Sequence, residues 1–312
     1  MEFGRVPENE LNAVDFSLPG EPAENKTVLN GQPVNMAKVY VGCAKWGRVE
    51  WVGKIYPLKT KERDFLKHYV EHYNSIELNT THYKIYGEKG VRNWAEKAKG
   101  KDFKFCPKMF QGVTHKGKLN TKRFITNEFF RGIIAFKEHL GPVFVQFNET
   151  FSPKRKDELF TYLAALPKDL QIFLEVRHRD WFAKEKERED MFNFLRENNM
   201  GAVITDTAGR RDCAHMRLTI PKAFIRYVGN SLHPSDYTRT DAWVERMKYW
   251  LDNGLEELYF FMHMHDEATS PELTVYLVDK MNKECRLNLI RPKFVNNGLP
   301  SKQKPKQKGL PV

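Results

Sequence analysis

The sequence has few cysteines and no long apolar run. Its four cysteines are scattered through 312 residues without a CxxC spacing, which argues against a disulfide framework and a cysteine-based zinc module. No stretch approaches the roughly 18 uninterrupted apolar residues of a membrane span, and residues 1–20 lack the basic start and apolar segment of a secretory signal. We therefore predict a cytoplasmic protein without a membrane partner.

Motifs of several common enzyme classes are also absent. The sequence contains no GxGxxG after a predicted strand, no Walker A loop, no HExxH and no GxSxG nucleophile elbow. These absences argue against a dinucleotide-binding fold, a P-loop nucleotidase, a zincin protease and an α/β-hydrolase. A function therefore has to be inferred from the arrangement of individual polar residues.

Acidic residues are scarce relative to basic ones, and the formal net charge is +11. Residues 1–36 carry a net charge of −4 and residues 291–312 carry +6, which leaves +9 on the body of the chain. An excess of this sign favours anionic partners, either nucleic acid or a phosphorylated or carboxylated small molecule. Solubility alone would also explain the charge.

Short apolar runs alternate with amphipathic segments through the body of the chain. The runs predict strands at residues 39–42, 75–78, 103–106, 143–147, 172–176, 202–205, 224–228 and 258–262. The amphipathic segments predict helices near residues 60–72, 88–98, 126–139, 154–165, 185–198, 241–252 and 271–284. This order predicts an α/β protein with a single (β/α)₈ TIM-type barrel. An open doubly wound sheet is the alternative.

The pattern divides the chain into three parts. Residues 1–36 are predicted to form a flexible N-terminal extension, residues 37–291 the barrel, and residues 292–312 a basic flexible tail. Within the barrel, residues 207–222 have the composition of a loop where the sixth helix is due. The sixth βα unit is therefore predicted to be irregular.

Charged and polar residues follow most of the predicted strands, where barrel enzymes carry their catalytic groups. The acids are candidates for proton transfer: Glu77, Glu175 and Asp206. The remaining residues are candidates for binding an anionic substrate: Asn79, Lys108, Gln146, Arg177, Trp181 and Arg226. On this reading, Arg226→Met abolishes ligand binding and preserves the fold.

Two of these residues also have a purely structural explanation. Glu175 and Arg177 lie two apart on one strand and therefore share a face, where an ion pair would close the barrel mouth. Because a neighbouring arginine lowers a carboxyl pKa, Glu175 is expected to be ionised. Glu77 is then the preferred proton-transfer residue.

A divalent metal is an alternative at the end of strand eight, and no cofactor is assigned. His263 and His265 lie two apart and precede Asp266, so the three could share one ion with a nearby carboxylate. Histidines at a strand end that only form hydrogen bonds are the simpler interpretation.

Several segments together resemble the YecE-like family, known as domain of unknown function 72, across about residues 38–285. They are GCAKW at 42–46 with Trp51, Gly53 and YP at 56–57, YNSIELNTTHY at 73–83, Lys108 with TH at 114–115, LGP at 140–142 with Gln146 and Phe151, EVRH at 175–178 with WF at 181–182, Asp206, and FIRYVG at 224–229. The resemblance implies a TIM-type barrel without an assigned reaction, and it adds His115 to the substrate-binding candidates.

Two functions stay open at this stage. The first is an enzyme, a hydrolase or another acid/base catalyst, that acts on a small phosphate or carboxylate compound at the C-terminal mouth of the barrel. The second is a barrel that binds nucleic acid through its basic body and C-terminal tail, or cleaves a phosphodiester with a metal.

Overall fold

Eight parallel strands form a barrel in the computed structural model, which describes residues 3–295. The strands are β1 Lys38–Cys43, β2 Ser75–Leu78, β3 Lys104–Pro107, β4 Val143–Gln146, β5 Ile172–Glu175, β6 Gly201–Asp206, β7 Lys222–Gly229 and β8 Glu257–Met264. They pair in the order β3-β2-β1-β8-β7-β6-β5-β4, and isolated bridges join Phe105 to Leu140 and Lys108 to Phe144 across the remaining seam. The predicted barrel is confirmed, and the doubly wound sheet is not formed.

Ten α-helices lie between or after these strands in the described residues. They are α1 Phe65–Tyr69, α2 Thr80–Tyr83, α3 Glu88–Ala95, α4 Gln111–Thr114, α5 Arg123–Ile133, α6 Lys156–Ala164, α7 Asp180–Ala183, α8 Glu185–Glu197, α9 Pro234–Asp252 and α10 Ser270–Glu284. Between β6 and β7 the chain forms only the short 3₁₀ turn Arg211–Cys213, so the sixth βα unit is irregular as predicted. Among residues 3–295, no helix is both long and apolar enough to cross a membrane.

Apolar side chains fill the lower part of the barrel interior. Residues on a strand alternate between its two faces, so every second residue of each strand points inward. The inner apolar cluster consists of Tyr40, Cys106, Phe144, Phe173, Val203, Ile220, Phe224, Tyr259 and Phe261. This packed layer closes the barrel from below, and the residues two positions further along several strands face the C-terminal mouth.

The N-terminal residues 3–36, here called the strap, pack against the barrel. Leu11 and Leu29 are buried, and the side chain of Asn25 bonds the backbone of Met216 at 2.9 Å and of Leu218 at 2.8 Å. The described part of this segment is therefore packed against the barrel, and its predicted flexibility stays a prediction. Its anchors are single residues that pair with distant parts of the chain, and local periodicity does not reveal such contacts.

The basic C-terminal tail lies almost wholly outside the described residues, because the structure describes nothing beyond residue 295. The last described residue, Val295, donates its backbone N–H to the carbonyl of Lys54 at 2.8 Å. The predicted properties of residues 296–312 therefore stay predictions.

Candidate functional site

A ring of polar side chains lies directly above the inner apolar cluster. Each strand from β2 to β8 contributes one residue, either within the strand or just after it, and all are at most 8% exposed. We call this set the polar ring: Glu77, Lys108, Gln146, Glu175, Thr205, Arg226 and His263. Burial of so many polar groups requires hydrogen bonds or ion pairs within the ring or with a ligand.

Arg226 lies between two glutamates of the polar ring. Its Nε and Nη2 donate to the two carboxylate oxygens of Glu77 at 2.7 and 2.8 Å, and its Nη1 donates to Oε2 of Glu175 at 2.7 Å. The Nε of Arg177 donates to Oε1 of Glu175 at 2.8 Å. The predicted pairing of Glu175 with Arg177 is therefore present, and Arg226 extends it across the barrel to Glu77.

Both glutamates are held in the ionised form. Burial alone would raise the pKa of Glu77, but Arg226 and His263 hold it well below its usual range. Burial likewise opposes ionisation of Glu175, yet Arg177, Arg226 and Lys108 lower its pKa to about 2. Near neutral pH both glutamates can therefore accept a proton but not supply one, and the proton-transfer role of Glu77 stays a prediction.

Two further side chains fix the carboxylate of Glu77. Nε2 of His263 lies 2.9 Å from Oε2 and donates to it, since an ionised carboxylate can only accept. The Nδ2 of Asn79 donates to Oε1 at 2.8 Å. Glu77 thus accepts hydrogen bonds from three residues and acts as a hub of the polar ring.

Lys108 is the cation of the polar ring without an acidic partner. No carboxylate lies within 4 Å of its Nζ in the described residues, and the centre of the Phe144 ring lies 5.8 Å from it. Burial, together with the positive charge of Arg226, lowers the pKa of Lys108 to about 7. Glu175 and Glu77 oppose this lowering without reversing it, so a ligand anion in contact with the amine would raise its pKa again.

Two imidazoles lie in the electrostatic field of Lys108. The rings of His82 and His115 meet edge to face with their centres 4.8 Å apart. Burial and the charge of Lys108 lower the pKa of each histidine to about 4, so both rings are neutral at pH 7. The Nδ1 of His82 lies 2.8 Å from the carbonyl of Met109 and donates to it, which leaves Nε2 as an acceptor.

The strap reaches the mouth beside Arg177. The ring of Phe3 packs under the Arg177 guanidinium, with 4.0 Å between the ring centre and Cζ. Of the three guanidinium nitrogens of Arg177, Nε alone forms a hydrogen bond to another described residue. The two terminal nitrogens therefore stay available to a ligand. Phe3 thus orients a cation at the mouth.

Comparison with known proteins places this barrel in a family. The model of the family described as "Protein of unknown function DUF72" matches residues 40–296. The chain belongs to the DUF72 family. The UPF0759 protein YecE of Escherichia coli K12 is 26% identical over 263 residues, which cover 78% of this chain and 93% of the relative. The UPF0759 protein YunF of Bacillus subtilis 168 is 26% identical over 152 residues, 46% of this chain and 52% of the relative.

Solved structures agree with this assignment at the level of the fold. Two crystal structures of the DUF72 family protein EF0366 of Enterococcus faecalis V583 align with TM-scores of 0.61 and 0.60 at 17% identity. The alignments cover 83% and 82% of this chain and all of the other chain. DUF72 membership confirms the expected family, and the family description assigns no reaction to it.

Asp206 of this DUF72 protein lies on the outer face of the barrel, away from the polar ring. It accepts hydrogen bonds from Nε1 of Trp243 at 2.7 Å and from Arg239 at 2.9 Å, and it also pairs with Arg211. Strand β6 extends through Asp206, so the residue follows the outward orientation of Ile204 rather than the inward orientation of Val203. The structure therefore separates Asp206 from Glu77 and Glu175, and its contacts are structural.

Asp206→Asn is expected to weaken the fold and to leave the mouth unchanged. The substitution removes the charge that faces Arg239 and Arg211, so we expect the free energy of unfolding to fall by about 1–3 kcal/mol. Urea denaturation measures this loss. Sulfate affinity of the folded variant should equal that of the wild-type protein, and a large loss of affinity would return Asp206 to the candidate site.

Three other predicted residues do not converge on a metal site. His263 is turned toward Glu77, and the side chain of Asp266 accepts from the backbone N–H of Ala268 at 3.1 Å. His265 lies beyond β8 and is half-buried. Within residues 3–295, no group of three or more histidine, cysteine or acidic side chains is arranged to hold a metal ion.

Trp181 and the aromatic residues near β1 have different environments. Trp181 is fully buried in the outer core, and its Nε1 donates to the carbonyl of Phe151 at 2.9 Å, so it supports the mouth from outside. A cleft of about 350 Å³ opens beside Glu77 and Asn79 and is lined by Trp46, Tyr83 and Tyr86, among others. This cleft offers ring faces to a ligand next to the Glu77 end of the polar ring.

The structure adds two residues that sequence reasoning missed as site residues. His82 follows β2 by four positions and lies against His115, a contact that the loop sequence alone does not reveal. Phe3 reaches Arg177 from the far end of the chain. For His263 the sequence leaves a metal ligand and an ordinary hydrogen-bonding group as alternatives, and the structure shows a hydrogen bond to Glu77.

Proposed function

We propose that this protein is an enzyme that binds a small phosphate or carboxylate compound at the C-terminal mouth of its barrel. The observation that supports the proposal is the excess of positive charge at Lys108 and Arg177. The carboxylates of Glu77 and Glu175 are already bonded to Arg226, Arg177, His263 and Asn79. Lys108 and the terminal nitrogens of Arg177 can therefore engage an external anion.

A second group supports a ligand at the same place. The Oε1 of Gln146 is buried and has no hydrogen-bond partner within residues 3–295, and Gln146 is 3% exposed. A buried acceptor without a donor costs about 1–3 kcal/mol, and a ligand hydroxyl would satisfy it. The anionic ligand is therefore expected to carry a hydrogen-bond donor as well as its charge.

Proton transfer at this site would fall to Lys108. Its pKa of about 7 lies close to neutral pH, which is the condition for efficient general acid or base catalysis. The glutamates would keep Arg226 in place, and the neutral imidazoles of His82 and His115 could pass on a proton. The reaction is thus acid/base chemistry on an anionic compound, with hydrolysis as one form.

Calorimetric titration with sulfate tests binding, because sulfate keeps its double negative charge across the neutral range. Lys108→Met should weaken the affinity at least about tenfold, the equivalent of one charged hydrogen bond. Lys104→Met, at the first residue of β3 and at the other end of the barrel, is the matched control and should bind like the wild-type protein. Equal affinity of both variants would exclude Lys108 from the site.

Sulfate affinity is also expected to depend on pH with a defined sign. The pKa of Lys108 is about 7 in the free protein and must be higher beside an anion, so binding takes up a proton above pH 7. Affinity should be highest below pH 7 and fall by up to about tenfold per pH unit above it. Lys108→Arg, which stays charged, should give a flat profile over the same range. An equally flat wild-type profile would contradict the assignment.

Nucleic acid is the second candidate partner, and the +9 charge on the body of the chain favours it. DNA and RNA binding by the full chain, measured at two salt concentrations, tests it. A site at the mouth requires that Lys108→Met weakens binding at both salt concentrations. Binding that disappears in high salt and is unaffected by this substitution would instead reflect general attraction of basic residues for polyanions.

A further inference from the structure

The backbone of Lys108 is fixed from both sides. Its N–H donates to the carbonyl of Leu78 at 3.2 Å, and its own carbonyl accepts from Oγ1 of Thr81 at 2.8 Å. The parallel bridge to Phe144 holds the residue against β4. The side chain therefore starts from a rigid part of the barrel, and its primary amine reaches the polar ring without an acidic partner.

We propose that Lys108 is a nucleophile that forms a Schiff base with an aldehyde or ketone carrying a phosphate or carboxylate group. This inference rests on the proposed function, because the anionic group of the substrate brings its carbonyl carbon to the amine. In such a compound the charged group would lie on Arg177 and the carbonyl would face Lys108, whereas sulfate, which has no carbonyl, would contact both cations.

The surroundings of Lys108 suit a nucleophilic amine. Only the unprotonated amine attacks a carbonyl, and a carboxylate pressed against it would keep it protonated. Lys108 has no such partner among the described residues, and burial beside Arg226 keeps about half of the amine unprotonated at pH 7. A surface lysine with an ordinary pKa near 10.4 would be almost entirely protonated.

The reaction needs no oxidant or reductant. The amine lone pair attacks the carbonyl carbon, a C–N bond forms, and the oxygen takes up a proton to give a carbinolamine. The C–O bond then breaks, and the carbonyl oxygen leaves as water with the two protons that the amine has lost. Both imidazoles, His82 and His115, are neutral and can carry these protons between nitrogen and oxygen.

Reductive trapping with pyridoxal 5′-phosphate tests the proposal on the full chain. This probe carries an aldehyde and a phosphate, and borohydride converts its Schiff base into a stable secondary amine that peptide mapping locates. Pyridoxal, which lacks the phosphate, is the matched control probe. Lys108→Arg is the matched control variant, since it keeps the positive charge and cannot form the imine.

The proposal predicts that Lys108 carries most of the adduct at low probe concentration. Labelling of Lys108 should be at least about tenfold greater with pyridoxal 5′-phosphate than with pyridoxal, fall when sulfate is added, and rise with pH through about 7. Lys108→Arg should bind sulfate and lose the label. Adducts spread evenly over exposed lysines, with none in excess at Lys108, would overturn the Schiff base. Sulfate binding that still depends on Lys108 would then leave the proposed function standing, whereas absent sulfate binding would remove both.

Discussion

Replacing Lys108 by methionine is expected to stabilise the protein at pH 7 while it weakens sulfate binding at least about tenfold. Folding moves this amine from water, where its pKa is about 10.4, to a site where its pKa is about 7. Each unit of such a shift costs about 1.4 kcal/mol, so the shift corresponds to about 4 kcal/mol at pH 7, and we expect Lys108→Met to raise the free energy of unfolding by up to about that amount. Methionine also fits the apolar contact with Phe144.

The pH dependence of that gain follows from the direction of the shift. The pKa of Lys108 is lower in the folded protein than in the unfolded chain. The folded protein is therefore destabilised at every pH at which the unfolded chain would hold a proton on this amine. The penalty is full below about pH 7, shrinks between pH 7 and about 10.4, and vanishes above. Urea denaturation of Lys108→Met and Lys104→Met at pH 7 and pH 10 measures it. A Lys108→Met variant less stable than wild type at pH 7 would mean that the amine has a counter-ion in the folded protein.

Replacing Arg226 by methionine is expected to have the opposite effect on stability. Arg226 is 1% exposed and bonds Glu77 and Glu175, which are themselves at most 3% exposed. Removal of one partner from a buried ion pair costs about 3–5 kcal/mol, because the remaining charges lose their compensation. Arg226→Met therefore destabilises the fold, contrary to the expectation from the sequence that it would only abolish binding.

The same substitution has a characteristic pH profile. In the wild-type protein both carboxyl pKa values are lowered, so their stabilisation is present above the unfolded value near 4.3 and is lost as pH falls. The loss of unfolding free energy in Arg226→Met should consequently be largest near pH 7 and become smaller below pH 4. Arg92→Met removes an exposed ion pair with Glu88 and serves as the control, with an effect within about 0.5 kcal/mol. Wild-type stability of Arg226→Met at pH 7 would refute the central role of this arginine.

The barrel could be predicted from the sequence because apolar residues recur with different periods in strands and in helices, so the alternation of the two elements is visible. The run at residues 75–78 is bounded by polar residues and forms β2 at the same positions. Spacing also places Glu175 and Arg177 on one face, as the bond between them confirms. The predicted sixth strand ends at residue 205, one residue too early, and this error misplaces Asp206. Strand β6 includes Asp206 and directs its side chain outward. Residues two apart share a face, but the sequence does not indicate which face is inside.

Contacts between segments that are far apart in the chain could not be predicted from the sequence. Phe3 and Arg177 meet although 174 positions separate them, and nothing in either local pattern indicates the pairing. The isolation of Lys108 is also a property of three-dimensional arrangement, since Glu77 and Glu175 could each have paired with it. Arg226 binds both glutamates instead, and Lys108 is influenced by their charges without forming an ion pair within residues 3–295.

The most direct test of an anion site at Lys108 is a pH titration of the lysine side chains by NMR, with ¹³C at Cε and with Lys108→Arg to assign the signal. We expect one lysine with a titration midpoint near pH 7, well below the midpoints of the other lysines, and a rise of that midpoint when sulfate is added. A signal of Lys108 that titrates with the surface lysines, or a midpoint near 7 that sulfate does not move, would contradict it.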